Sequence, residues 1–178
     1  AACKTIRDKK NAQKQAYTQR LPILHPKPPG DIFKVRLQTL FPELGLQLRT
    51  IEWDMIFMQL KRIKRSFASV CCVKTWCNAW TTSYRMHDAL QMSCLFGCVG
   101  EKDCLSHYMK CDRLWNPIFQ VLHVAPYNDV LLRLALLDPS RLRVLVSAVA
   151  FVVYHKHRAQ ARKQGVQMIS TAADVRSS

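Results

Sequence analysis

The chain has 178 residues, enough for one domain with its own apolar core or for two small helical lobes. A hydrophobic fraction of 49% with 9% aromatics argues against a disordered segment. Twenty-seven Lys and Arg against twelve Asp and Glu give a formal charge of +15 and a pI near 9.8, which points to a polyanionic partner rather than to an ordinary soluble enzyme.

Residues 1–20 read as a basic N-terminal helix or arm, with Lys4, Arg7, Lys9, Lys10 and Lys14 against the single acid Asp8. The opening AACKTIRDKK is polar, carries no secretory signal and does not begin with Met. We therefore expect either a removed presequence or a piece of a longer chain. Residues 21–30 form a proline-rich linker, because Pro22, Pro26, Pro28 and Pro29 remove donors and fix φ. A helical domain is expected over 31–164. Its first segment, 31–49, is interrupted by Pro42 and Gly45. The next helix, about 50–72, carries an apolar stripe of Ile56, Leu60, Ile63, Phe67 and Val70. Lys61, Arg62, Lys64 and Arg65 lie off that stripe as the densest basic patch. A second helix over 73–88 would set Trp76 and Trp80 on one face, as core rather than as a base-stacking platform.

Leu114 to Val124 is apolar, and Pro126 with Asn128 marks a turn. Asn128-Asp129 can cap a helix to about Leu137, and Asp138-Pro139 opens a final helix to about Lys163. The second half of that helix is basic (His155, Lys156, His157, Arg158, Arg162, Lys163), and Gly165 would end it, leaving 165–178 as a tail. The longest apolar run, Val144 to Tyr154, is about half of what a bilayer requires, so no membrane span is expected. No alternating strand pattern is found. The fold class is mainly α, a small helical protein.

Eight cysteines are too unevenly spaced for a disulfide framework: Cys71 and Cys72 are adjacent, and only one compact cluster exists. A reducing compartment is expected, with Cys3, Cys71, Cys72, Cys77 and Cys104 as ordinary thiols. The cluster itself reads Cys94-x3-Cys98-x8-His107-x3-Cys111, a CCHC zinc knuckle embedded at 94–111. Zn²⁺ wants four N/S ligands in a tetrahedron, and two close pairs joined by a short loop supply them. Gly97 and Gly100 flank Cys98, where a tight turn needs backbone freedom. His107 and Cys111, four apart, would share one helical face. Cys104 is a competing thiol, but its use leaves the outer pair worse spaced. Four protein ligands leave no open coordination position. No paired carboxylates, Ser/Cys–His arrangement or phosphate loop stands out either, so no enzyme is expected.

The stretch W-x3-W-T-x3-R-x-H followed by CLFGC…D…SHY…C-x2-LW resembles the zinc-knuckle segment C-terminal to the reverse transcriptase of non-LTR retrotransposons. Trp76, Trp80, Thr81, Arg85, His87, Cys94, Cys98, Asp103, His107, Tyr108, Cys111, Leu114 and Trp115 carry it, over about residues 76–115. The resemblance implies Cys94, Cys98, His107 and Cys111 as zinc ligands, contact with nucleic acid, and descent from a retroelement. No polymerase Asp-Asp motif or nuclease carboxylate set accompanies it, so neither activity is implied. The functional expectation is a non-catalytic zinc-binding protein on DNA or RNA, with Lys61, Arg62, Lys64, Arg65, Arg85, Lys102, Lys110 and Arg113 as the contact surface. The alternative is a structural subunit of a large organellar assembly, such as a ribosome, where protein neighbours are the partners. Either places the chain inside the cell, in a mitochondrion, plastid or nucleus.

Overall fold

A computed structural model describes residues 28–63, 66–89 and 91–176, with only the backbone for Ser66 and for residues beyond 164. The expected arm at 1–20, most of the linker (21–27), and Lys64 and Arg65 lie outside the described residues. Those described are mainly helical and contain no strand; one isolated antiparallel bridge joins Ser93 to Lys102. No helix among them is long and apolar enough to cross a membrane.

Helix α1, Pro29–Leu40, starts inside the expected linker. Proline suits a first helical position because its fixed φ and missing donor cost nothing there. Gly30 follows for a packing reason: a Cβ would stand 2.6 Å from the Trp53 side chain. A 3-10 turn at Pro42–Leu44 leads into α2, Gly45–Arg49, which folds back on α1.

The expected single helix over 50–72 is two helices, α3 (Trp53–Arg62) and α4 (Ser66–Trp76). Ile63 is extended between them, at φ −77° and ψ 115°. The break resets the helical phase. Trp53, Ile56 and Leu60 stay buried on α3, but Phe67 and Val70 on α4 are 64% and 47% exposed. The face of α4 turned to the core carries Ala68, Cys71, Cys72, Thr75 and Trp76 instead. Lys61 and Arg62 are exposed, as expected.

The second helix expected over 73–88 is not continuous: α4 ends at Trp76, and the chain is helical again only at Ser83–Met86. Asn78 takes the left-handed conformation (φ 52°), and the Ala79 N–H reaches back to the Lys74 carbonyl at 2.8 Å, a Schellman closure. Trp76 and Trp80 therefore do not share a helical face, although both are fully buried. Trp76 packs with Phe33, Trp53 and Phe57 at centroid separations of 5.8, 5.7 and 6.5 Å, and its indole N–H donates to the Leu134 carbonyl at 2.9 Å. Trp80 enters a second cluster with Tyr108 and Tyr154, at 5.8 and 4.7 Å.

Three one-turn helices and one longer one follow: α5 (Ser83–Met86), α6 (Leu105–Tyr108), α7 (Asp112–Val121) and α8 (Val130–Arg133). Asp129 caps α8, its Oδ1 accepting the Leu132 N–H at 2.9 Å. The helix ends at Arg133 rather than near Leu137, because Ala135 is left-handed (φ 55°) and the Leu136 N–H closes on Leu131. The last helix, α9, spans Arg141–Arg176 and runs through Gly165, where an end was expected. A single interior glycine costs only about 1 kcal/mol against alanine, and no proline follows to enforce a stop. Val144, Ser147, Phe151, Tyr154 and Arg158 form the buried stripe of α9, which packs along α4 and touches α7 and α8.

The reset phase of α4 yields a contrast that chemical denaturation can measure. Trp76→Ala should cost about 3–5 kcal/mol, whereas Phe67→Ala should stay within about 0.5 kcal/mol. A large loss at Phe67 would restore the continuous helix.

Candidate metal centre

Cys94 and Cys98 lie on a loop whose base is the Ser93–Lys102 bridge, tightened by the Cys94 N–H donating to the Glu101 carbonyl at 2.9 Å. Gly97 (φ 80°) and Gly100 (φ 75°) both occupy the left-handed region on either side of Cys98, as the turn requires. His107 sits on α6. Cys111 is the N-cap of α7, not the next turn of the same helix. Helix α6 stops at Tyr108, so a turn through Met109 and Lys110 brings His107 and Cys111 together, where a shared helical face was expected.

One ligand atom from each of Cys94, Cys98, His107 and Cys111 lies within 4.8 Å of the other three. Cys111 Sγ is 3.9 Å from Cys94 Sγ and 3.6 Å from Cys98 Sγ. The four residues are therefore placed to hold a metal ion. Two observations fit such an ion. The His107 Nε2 is buried and has no partner among the described residues, while Nδ1 lies 3.1 Å from Glu101 Oε2. A carboxylate at Nδ1 fixes the tautomer with its proton there and leaves the Nε2 lone pair for a cation. The second is the thiol environment: burial, then the neighbouring Cys98 and Cys94 sulfurs, push the Cys111 thiol up to about 12. Three thiolates do not share this space without a cation, and a bound ion would displace their protons. Cys104 stays outside the cluster, its Sγ 3.2 Å from Ser106 Oγ.

The metal loop is docked on the helical scaffold through Asp103, which is 0% exposed. Its Oδ2 accepts the Ser83 N–H at 2.5 Å; its Oδ1 accepts the hydroxyls of Tyr108 at 2.7 Å and Tyr154 at 3.1 Å. Burial pushes both phenols up, so both remain protonated donors. The Tyr108 oxygen in turn accepts the Leu95 N–H at 3.1 Å, next to Cys94. Arg158 of α9 pairs with Asp103 at 3.6 Å and with Asp88.

The expected contact cations fall in several places. Lys102, Lys110 and Arg113 are exposed and line a groove of about 620 Å³ that opens on Cys98, His107 and Cys111. Lys110 Nζ is already paired with Glu43 Oε1 at 2.5 Å, an ion pair that holds the Glu43 carboxyl below its usual range. Arg85 is exposed on α5 and borders a neighbouring concavity; Lys61 and Arg62 lie at the end of α3 and line neither. Arg158, expected in a basic surface, is only 3% exposed, because its charge serves Asp103 and Asp88. Glu101, Tyr154 and Arg158 were not identified from sequence as parts of the site, and Asp103 was named only as part of the resemblance, without its role. The available signal was that Glu101 and Asp103 are the only acids between Asp88 and Asp112 in an acid-poor chain. No protein-family model, curated protein or solved structure matches the chain.

If Glu101 orients His107, Glu101→Gln should weaken metal affinity about 10- to 100-fold in a competition titration with a chromophoric chelator. Cys104→Ser should leave the affinity unchanged. Equal affinity in the Gln variant would remove Glu101 from the site.

Proposed function

We propose that this chain is a non-catalytic, zinc-stabilised module that binds nucleic acid. The observation that carries the reading is the exposed cation set, Lys102 and Arg113 foremost, on the rim of the Cys94, Cys98, His107 and Cys111 cluster in a chain of charge +15. Three thiolates and one imidazole are a closed donor set that suits Zn²⁺, and a tetrahedron filled by protein leaves no position for a substrate. The ion supplies folding energy to a loop that has little core of its own. The cations supply sequence-independent attraction to phosphate. The resemblance to the retrotransposon knuckle supports the same reading, and with it descent from a retroelement. Its Trp80, Asp103, Tyr108, Leu114 and Trp115 are all buried around the metal loop, as a retained framework would be.

A second reading, a structural subunit of a larger organellar assembly, is favoured by one observation. Met55 and Met58 on α3, and Phe67 and Val70 on α4, leave apolar side chains 45–64% exposed. Such side chains fit a protein neighbour better than a phosphate chain.

Native mass spectrometry of the purified chain should give a single zinc, lost in Cys98→Ser and retained in Cys104→Ser. Affinity for single-stranded nucleic acid should fall with salt, and changing Lys61, Arg62 and Arg113 together to Ala should flatten the log–log slope by about two units, at about 0.7 per phosphate. Salt-insensitive association with a protein, and no nucleic-acid binding, would put the subunit reading first.

A further inference from the structure

Between the end of α1, the turn after α4 and the start of α6 lies a concavity of about 500 Å³ beside the metal lobe. Thr39, Tyr84, Arg85, His87, Lys102 and Ser106 are among the residues around it. No carboxylate is found among the described residues that line it, whereas the groove over the metal cluster carries Glu101 and Asp112. It continues at both ends. Thr39 and Arg85 are shared with a groove along α1 that includes Arg36; Lys102 and Ser106 are shared with the groove over the metal cluster, where Arg113 lies. These adjoining concavities make a channel across this face lined by Arg36, Arg85, Lys102 and Arg113, with the acids Asp31, Glu101 and Asp112 confined to its two outer parts.

Tyr84 is the aromatic side chain in this channel, and at 57% exposure it contributes little to the core. The Arg85 guanidinium is loosely held: among the described residues it makes only contacts of 3.5 Å to the Trp80 carbonyl and 3.7 Å to Met86 Sδ. An exposed aromatic face beside two cations that no ion pair engages among the described residues, with no acid lining the central concavity, is the arrangement that binds unpaired nucleotides. Bases stack on the ring, and the backbone follows the charge. A duplex cannot offer a base face to a concavity, because its bases are already stacked and paired.

We propose that this channel binds single-stranded nucleic acid, with a base stacked on Tyr84 and the flanking phosphates on Arg85 and Lys102. The proposal rests on the nucleic-acid reading above and adds the strand state and the site. The test uses the full chain with zinc bound, a labelled oligouridine of about 12 nucleotides, and a duplex of the same length. Tyr84→Ala should weaken single-strand binding about 5- to 100-fold, Tyr84→Phe should retain it, and duplex binding should not respond to either. Arg85→Ala with Lys102→Ala should lower the single-strand salt slope by about 1.4, two phosphates at about 0.7 each. Wild-type affinity in Tyr84→Ala, or an equal loss on the duplex, would overturn the proposal. Because Tyr84 is exposed, that variant remains informative if the double variant fails to fold. A wild-type chain that binds neither probe would sink the nucleic-acid reading itself. One that binds, yet responds only to Lys61→Ala and Arg62→Ala, would sink the channel alone.

Discussion

A charged group taken out of water costs several kcal/mol unless its lone pairs are met, and the described fold is arranged around one such group, the carboxylate of Asp103. Its donors come from separate parts of the chain: the Ser83 N–H from the start of α5, the Tyr108 hydroxyl from α6, and the Tyr154 hydroxyl and the Arg158 guanidinium from α9. A single side chain therefore ties the metal loop to the longest helix. The arrangement is cooperative in a specific sense. Removing any donor leaves a buried oxygen unmet, and removing Asp103 strands a buried arginine and two phenols.

The metal cluster sits directly on this hub. Tyr108 follows His107 in sequence and accepts the Leu95 N–H, the residue after Cys94, so the two halves of the donor set are held by the same phenol. Trp115, near Cys111, donates its indole N–H to the Tyr108 carbonyl at 2.8 Å. The scaffold positions the donors, and an ion would lock the loop. The Cys94–Cys98 loop has little apolar burial of its own: Phe96 and Cys98 are only partly buried against the main core. Metal affinity and folding stability should accordingly be one linked quantity rather than two.

The strong positive charge is partly committed inside the molecule. Arg133, 1% exposed, donates to the Tyr127 and Met109 carbonyls, to Asn128 and to Asp112, and stacks 5.2 Å from the Trp115 ring. Arg158 serves Asp103 and Asp88, and Lys110 serves Glu43. Of the contact cations expected from sequence, Lys61, Arg62, Arg85, Lys102 and Arg113 are exposed and stand in no ion pair among the described residues. Composition counts these cations alike, but the cost of a buried unpaired charge separates them.

The sequence alone determined the helical class, the grouping of Cys94, Cys98, His107 and Cys111, and the burial of Trp76 and Trp80, because each rests on local residue type or short spacing. Cys94 and Cys98 flank glycines that the turn needs, and Trp76 and Trp80 are too apolar to stay in water. Only the tertiary structure decided where the helices stop and what the charges do. Helices α4, α5, α7 and α8 end at left-handed Asn78, His87, His123 and Ala135, none of them the glycine that would announce such an end. A residue other than glycine holds that conformation at a cost of about 1–2 kcal/mol, which packing must offset, so local propensity does not reveal it. The break at Ile63 has the same character: it turns Phe67 outward while Cys72 faces the last helix, its thiol donating to the Val144 carbonyl, a preference set some 70 residues away in the chain. The roles of Glu101, Asp103 and Arg158 were hidden for the same reason. Each depends on a partner brought close by the fold, and sequence spacing does not encode distance across a core.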